Sequence, residues 1–324
     1  MPYYTLSVRG PAVREHVGVL TAAPRLMYRR PLPLTLLQLL TITQKYFCEK
    51  GIESARLDAE LLLGHCLELD RVGLYLEYDR PMLGSEIKTY RELVRRRAAY
   101  EPVAYITGKR DFWTLTLQVG KGVLIPRPET EVLVERALGF LAGLDAVHPR
   151  VLDIGTGSGA IALSLAAELS QLEIIALDAS EQAISCAQTN ADQLGFSGRV
   201  RFEKAQFPDT SVLKTSPYDL IVSNPPYISS SDIEGLAPDV REYEPHVALD
   251  GGSDGLDLYR LWIPHCAQLL SPGGGLMFEI GHDQGRTVAG LLESSGCFNT
   301  IEVVRDYAHL ERVVMCCRAE SSVC

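Results

Sequence analysis

From Arg150 onward, short apolar runs rich in β-branched residues alternate with stretches of helical periodicity. The runs that predict strands are RVLDIG, EIIALD, RVRFEKA, DLIVSN and GGGLMFEIG, followed by TIEVVRDY and ERVVMCCR with no helix between these last two. Alternation of strands and helices is typical of a mostly parallel, doubly wound α/β sheet. We therefore expect seven strands, the last two of which form an antiparallel hairpin at one edge.

The chain before this sheet divides by pattern into a helical part and a β-rich part. Residues 31–101 carry leucines at helical spacing, as in LTLLQLLTITQKYFCEKG, and predict a small bundle of three to five helices. Ser85 is the predicted N-cap of the helix over 84–100. Residues 102–126 alternate and contain several glycines, which predicts a β-hairpin linker to a sheet domain at 127–324.

The first 30 residues hold five arginines and one acidic residue, with no clear period. Arg-rich, acid-poor segments are typical of targeting peptides. A disordered N-terminal extension, or a chain whose true start is Met27, fits the same pattern, and we expect an extension that takes no part in the fold.

Charge and cysteine content limit the classes of partner. The net charge of −10 is uneven: residues 1–140 hold 20 basic and 16 acidic side chains, whereas the remainder holds 11 and 25. An acidic sheet domain argues against binding a nucleic-acid backbone directly. No apolar run reaches the ~18–20 residues that span a bilayer. The eight cysteines form no C-x-x-C pair, which argues against a metal site or a disulfide framework and is typical of a cytoplasmic protein.

Two motifs at predicted strand ends indicate a nucleoside-containing ligand. Gly155, Gly157 and Gly159 lie between the first strand and its helix, where glycine allows sharp turns and close approach of a ligand. Asp178 ends the next strand, where a carboxylate can accept ribose hydroxyls. A purely structural turn is the alternative for the glycines, although Asp153 beside them exceeds what a turn needs. The G-x-G-x-G spacing differs from the dinucleotide G-x-G-x-x-G and disfavours a nicotinamide dehydrogenase.

A third motif, Asn224-Pro225-Pro226-Tyr227, ends the strand DLIVSN. The Asn224 side-chain carbonyl is an acceptor, and the two prolines stiffen the loop. With the Pro225 carbonyl as a second acceptor, the loop can hold both hydrogens of a planar –NH2 group, and Tyr227 supplies a flat wall. An amide nitrogen is a poor nucleophile, so catalysis here would consist mainly of positioning, which contributes at most ~7–11 kcal/mol.

Together these motifs resemble the Rossmann-like class I S-adenosylmethionine-dependent methyltransferases, in which N-P-P-Y marks enzymes that methylate planar nitrogens. The segments ARLDAELLLGHCL, EPVAYITGKRDFWTLTLQVGKGVLIPRPETEVLVERAL, EPHVALDGGSDGLDLYR and FEIGHDQG resemble the peptide chain release factor glutamine-N5 methyltransferases over about residues 34–318. The resemblance implies methyl transfer from S-adenosylmethionine, leaving S-adenosylhomocysteine, to the side-chain amide of the Gly-Gly-Gln glutamine in class I release factors. That modification supports translation termination.

The resemblance also implies the roles of individual residues. For the methyl donor it implies Gly155, Thr156, Gly157, Ser158, Gly159, Asp178, Gln206, Phe207 and Asn224, with Phe112, Arg127 and Pro128 lining the cleft between hairpin and sheet domain. For the substrate glutamine and catalysis it implies Asn224, Pro225, Pro226 and Tyr227. The Pro-x-Pro of IPRPETE could instead only stiffen a linker, and Glu129 or Glu131 could merely start a helix.

Several alternatives stay open at this stage. An adenine or cytosine methyltransferase shares the N-P-P-Y chemistry and would need base flipping on duplex substrates. A ribosomal-protein glutamine would change the partner alone, and a donor-binding scaffold would lack turnover. We expect a monomer without metal or membrane contact, whose helical domain, through the basic run RELVRRRAAY, docks an acidic part of the release factor.

Overall fold

The computed structural model describes residues 34–209 and 217–320. The expectations for residues 1–30 lie outside these ranges. Among the described residues, no helix combines the length and the apolar character needed to cross a membrane. Six of the described cysteines are free thiols, whereas Cys297 is disulfide-bonded, which the scattered cysteine spacing did not indicate.

The N-terminal part of the described chain is helical. Its helices are α1 (Leu36–Glu49), α2 (Ala55–Leu67), α3 (Arg71–Leu76), α4 (Gly84–Ala98) and α5 (Val103–Thr107). Thr35 and Gln38 form a reciprocal capping box that starts α1. The predicted N-cap at Ser85 is wrong: the N-cap of α4 is Leu83, two residues earlier, whose N–H donates to the Glu86 carboxylate.

The predicted linker is only partly a hairpin. Strands β1 (Lys109–Phe112) and β2 (Leu115–Gln118) pair antiparallel, but α5 occupies the start of the 102–126 segment. The chain from residue 119 to Pro126 is irregular and runs toward the sheet. This irregular segment lines a cavity at the edge of the sheet, which a regular hairpin was not predicted to do.

The predicted seven-stranded sheet is confirmed. It contains β3 (Arg150–Ile154), β4 (Glu173–Asp178), β5 (Val200–Lys204), β6 (Tyr218–Ser223), β7 (Leu270–Glu279), β8 (Phe298–Arg305) and β9 (Glu311–Arg318). The strand order is β5-β4-β3-β6-β7-β9-β8, with the first five parallel and β9 antiparallel to both neighbours. The terminal antiparallel hairpin therefore lies at one edge, as expected.

Helices cover both faces of the sheet. These are α6 (Glu131–Ala142), α7 (Ala160–Glu168), α8 (Glu181–Leu194), α10 (Asp257–Leu269) and α11 (Gly285–Ser295). The short helix α9 (Pro238–Tyr243) lies between α8 and α10 in the chain and buries none of its residues. Side chains of α6 and α7 form one hydrophobic cluster against the sheet, and those of α10 and α11 form another. Burial on both sides explains why the central strands β3 and β6 are largely continuous apolar runs, whereas the edge strand β5 is more polar.

The strand order reverses between β3 and β6, which are adjacent although α7, β4, α8 and β5 separate them in sequence. Open α/β sheets bind ligands at the carboxyl ends of their strands beside such a switch point. The glycine loop follows β3 and the Asn-Pro-Pro-Tyr loop follows β6. The topology therefore brings the two motifs together.

Candidate active site

A cavity of about 330 Å³ lies at the carboxyl ends of β3, β4 and β6. This volume is within the range of small-molecule sites, which is about 300–1,000 Å³. The predicted residues in its wall are Arg127, Gly155, Thr156, Gly157, Ser158, Asp178, Gln206, Phe207, Asn224 and Pro226. Motifs separated by up to 99 positions in sequence thus face one space.

The glycine loop has a backbone that side-chain-bearing residues rarely adopt. Gly155 and Gly157 have φ of +75° and +59°, and nothing lies within 4 Å of where their Cβ atoms would be. The space is therefore open to a ligand. The N–H groups of Gly155 and Thr156 both donate to the Leu177 carbonyl at 2.9 Å, which fixes the loop to the end of β4.

Asp178 links the glycine loop to the next helix. One carboxylate oxygen accepts the Gly157 N–H at 2.9 Å and the other accepts the Ser180 N–H at 2.8 Å. Burial raises the pKa of Asp178, and these backbone hydrogen bonds oppose the increase. Each oxygen retains a further lone pair, so the carboxylate can still accept hydroxyls from the cavity.

Asn190 fastens the hairpin to the glycine loop. It is 1% exposed, its Oδ1 accepts the Gln118 N–H at 2.7 Å, and its Nδ2 donates to the carbonyls of Gln118 and Ser158. One buried amide on α8 therefore holds the end of β2 against the loop that follows β3. The position of the 119–126 segment depends on this bridge.

Glu244 holds the other end of that segment. It is 4% exposed, its Oε1 pairs with the Arg127 guanidinium at 2.5 Å, and its Oε2 accepts the Ile125 N–H at 3.0 Å. The pair fixes the chain at the cavity mouth. The charge of Arg127 is therefore balanced by Glu244. Arg127 both lines the cavity and helps to fix the chain at its mouth.

The Asn-Pro-Pro-Tyr loop is braced from two sides. The Ser223 hydroxyl donates to the Ile154 carbonyl at 2.6 Å, and the Asn224 Nδ2 donates to the Thr130 hydroxyl at 3.2 Å. Behind the loop, Ile228 exchanges backbone hydrogen bonds with the 249–251 segment. The Gln284 amide donates to the Tyr227 carbonyl at 2.9 Å. These contacts give a fixed backbone from which Asn224 projects.

Five of the residues proposed from the resemblance lie elsewhere than in the cavity wall. Phe112 is 1% exposed and packs in the core instead of lining the cleft, because β1 turns that ring toward α6 and α7. Pro128 opens a short 3-10 helix before α6. A Cβ at Gly159 would press on Leu163 and Ala187, so this glycine serves helix packing. The wall formed by the Asn-Pro-Pro-Tyr loop contains Asn224 and Pro226 but not Pro225 or Tyr227.

Sequence reasoning passed over four residues that the structure places at or near the site. Thr130 and Trp262 line the cavity, whereas Glu244 and Asn190 position its walls. The Trp262 ring meets Phe207 edge-on with centroids 5.7 Å apart. Asn190 and Glu244 stand in polar stretches of the sequence, and the partner of each of the four residues lies 30 or more positions away, so no local pattern indicates their roles.

Two buried acids face the region behind the cavity wall. Asp153 is fully buried, and burial raises its pKa to about 7 even though the Thr156 hydroxyl donates to it at 2.7 Å. Burial likewise raises the pKa of Glu279, at the end of β7, to about 7. Residues with a strongly shifted pKa cluster at functional sites, so Asp153 and Glu279 are both candidates for a functional role.

Gly255 packs against the backbone of the Asn-Pro-Pro-Tyr loop. It has a φ of +75°, and a Cβ there would collide with the Tyr227 carbonyl oxygen. We expect Gly255→Ala to cost about 1–2 kcal/mol in backbone strain and to displace the loop. Turnover should fall about 10- to 100-fold, since misplacement by ~1 Å has that effect. Steady-state methyl-transfer kinetics would measure it.

Gly235→Ala is the matched control for this change. Gly235 has an ordinary φ, and nothing lies within 4 Å of its missing Cβ. The control should keep the turnover of the wild type. Equal losses in both variants would contradict the bracing role assigned to Gly255.

Two family models match separate parts of the chain. A family model described as the PrmC N-terminal domain matches residues 38–108, and a methyltransferase domain matches residues 146–279. The release factor glutamine methyltransferase of Geobacter sulfurreducens is 46% identical over 292 residues, covering 89% of this chain and 98% of the relative. That of Chlorobaculum tepidum is 42% identical, covering 87% and 97%.

Among solved structures, a release factor-specific protein-(glutamine-N5) methyltransferase from Alicyclobacillus acidocaldarius is 32% identical. The match covers 62% of this chain and 99% of that chain, with a TM-score of 0.37. The identity and coverage of the curated relatives decide the assignment. The chain belongs to the release factor glutamine methyltransferase family.

Proposed function

We propose that this chain transfers a methyl group from S-adenosylmethionine to the side-chain amide nitrogen of the glutamine in the Gly-Gly-Gln motif of class I release factors. The observation that carries the proposal is the convergence of the glycine loop, Asp178 and Asn224 on one cavity. Family membership supports the choice of a release factor as substrate.

The cavity residues fit S-adenosylmethionine, which supplies an electrophilic methyl group when bound. The open space at Gly155 and Gly157 allows the donor to approach the backbone of the glycine loop closely. Asp178 offers carboxylate oxygens at the end of β4, where a ribose would need acceptors. The Phe207 ring, which meets the Trp262 ring edge-on, offers an apolar surface for the planar adenine base. We assign the donor to these residues.

The acceptor side is built for orientation. Because the Nδ2 of Asn224 donates to Thr130, its Oδ1 is left to accept an N–H from the substrate amide. We keep the Pro225 carbonyl as the second acceptor, as proposed from sequence, although Pro225 itself lies outside the cavity wall that Asn224 and Pro226 form. Two acceptors hold the amide plane and favour positive charge developing on its nitrogen. No general base is required before methyl transfer, because the methylated nitrogen is much more acidic and loses its proton afterwards.

The docking surface we propose is narrower than the basic run 91–100. Arg97 is buried and pairs with Asp58 at 2.7 Å and Asp239 at 3.4 Å, and Arg96 pairs with Glu101. Lys88 and Arg91 are exposed on α4, whereas Arg95 is exposed but pairs with Glu92. We propose that Lys88 and Arg91 steer an acidic region of the release factor, and that the enzyme acts as a cytoplasmic monomer.

Methyl transfer from radiolabelled S-adenosylmethionine tests the proposal. The candidates are a release factor, the same factor with its Gly-Gly-Gln glutamine changed to alanine, a ribosomal-protein preparation, and DNA. We expect label on the unmodified release factor alone. Label on DNA or ribosomal protein, or equal label on both release factors, would show that the partner is wrong. Absence of label on every candidate would favour a donor-binding scaffold.

A further inference from the structure

The amide of Asn224 has two ends of similar shape and opposite hydrogen-bonding character. Only one orientation, with Oδ1 toward the cavity, can accept an N–H from a substrate amide. In the structure the Nδ2 end donates to the Thr130 hydroxyl, 3.2 Å away. A hydroxyl can also donate, so Thr130 alone does not exclude the reversed amide. Some other group must keep the Thr130 oxygen in the role of acceptor.

Glu279 is placed to do this. It ends β7, is 1% exposed, and within the described part of the chain neither of its carboxylate oxygens has a full hydrogen bond. A buried carboxylate without partners is costly and calls for a reason. The Thr130 hydroxyl lies close enough to the Glu279 carboxylate to lower its pKa, against the effect of burial, without making a full hydrogen bond.

The other groups that face Glu279 come from four parts of the chain. They are Arg127 and Glu129 before α6, Tyr227 in the Asn-Pro-Pro-Tyr loop, Tyr259 on α10 and Arg312 on β9. The Tyr259 hydroxyl donates to the backbone carbonyl of Glu279, not to its carboxylate. Burial has the largest effect and raises the pKa of Glu279 to about 7, with Arg312 and Arg127 opposing it and Glu129 adding to it.

We infer that Glu279 and Thr130 are positioning residues: ionised Glu279 accepts the hydroxyl proton of Thr130, so the Thr130 oxygen accepts from Asn224 and the Asn224 Oδ1 faces the cavity. The inference rests on the proposed function, because it concerns how Asn224 receives the substrate amide. No bond to carbon is made or broken in this relay. One proton moves between Glu279 and solvent.

Protonation of Glu279 reverses the relay. A carboxylic acid donates its own proton to the Thr130 oxygen, which leaves the Thr130 proton to donate to Asn224. The amide then turns its Oδ1 toward Thr130 and presents Nδ2, a donor, to the cavity. A donor cannot receive the N–H of the substrate. Because the pKa of Glu279 lies near 7, turnover should be low when Glu279 is protonated at acidic pH and rise as it ionises through about pH 7.

The test compares wild type, Thr130→Val and Thr130→Ser. Valine keeps the shape of threonine and removes only the hydroxyl, whereas serine keeps the hydroxyl. We would measure kcat for methylation of the release factor from about one pH unit below to one above 7, with the donor affinity measured at each pH. Wild type should show a single rise. Thr130→Val should lose about tenfold or more of kcat at high pH and lose the rise, and Thr130→Ser should restore both.

A second readout does not depend on turnover. Selective nitrogen-15 labelling of asparagine gives a side-chain signal for Asn224, assigned by its loss in Asn224→Ala. We expect that signal to shift as Glu279 titrates in wild type and to stay fixed in Glu279→Gln and Thr130→Val. A pH rise that persists unchanged in Thr130→Val, or an Asn224 signal that never titrates, would overturn the relay. Normal titration without glutamine methylation at any pH would overturn the proposed function instead.

Discussion

Replacing Asn224 with alanine should reduce kcat by about 10²-fold or more while leaving the affinity for S-adenosylmethionine within a few-fold of wild type. The side chain lies at the switch point between β3 and β6, and its Oδ1 is free because Nδ2 is committed to Thr130. Alanine removes the acceptor that aims the substrate amide, and loss of aim of that kind costs about 10²-fold in rate. Single-turnover methylation and calorimetric donor titration would measure the two quantities.

The variant should remain folded, since only one hydrogen bond is lost, worth about 1 kcal/mol. Asn299→Ala, an exposed asparagine on β8, is the control and should match wild type in both measurements. If Asn224→Ala weakened donor binding and left kcat intact, Asn224 would belong to the donor site. The acceptor role argued above would then be wrong.

The fold was predictable from sequence because its signals are local. The central parallel strands β3, β4 and β6 are largely apolar runs, and a helix follows β3 and β4 directly, so the order of elements implies much of the sheet. The antiparallel edge hairpin, β8 and β9, followed from the absence of a helix between two runs. The linker was predicted less well, since α5 and the irregular 119–126 segment depend on partners such as Asn190 and Glu244.

The same distinction applies to the site. The glycines, Asp178 and Asn224 were recognisable because each lies at or just after the end of a strand and belongs to a residue type with a chemistry of its own. Phe112 was predicted to line the cleft because its sequence context resembles that of the family, but sequence context does not show which way a side chain points, and its ring lies in the core. Glu279 was not singled out, because its meaning depends on Thr130, 149 positions away in sequence, and on burial that no local pattern reveals.

Asp178→Ala should have the opposite signature to Asn224→Ala: the Kd for S-adenosylmethionine should rise about 10²-fold or more, whereas kcat at saturating donor should change little. Two contributions disappear together. The carboxylate no longer accepts hydroxyls in the cavity, and Gly157 loses the acceptor for its N–H. Hydrogen bonds to a charged group are worth about 1.5–3 kcal/mol each, and 1.4 kcal/mol is a factor of about 10 in Kd.

Glu173→Ala is the control on the same strand. Glu173 lies at the opposite end of β4, is exposed, and pairs with Arg150 at 3.6 Å. An exposed pair contributes at most about 1 kcal/mol to stability, and its loss should leave donor affinity unchanged. A normal Kd in Asp178→Ala would place the ribose elsewhere in the cavity. If both variants kept their predicted signatures, donor binding and amide positioning would be separable tasks performed by neighbouring strand ends, β4 for the first and β6 for the second.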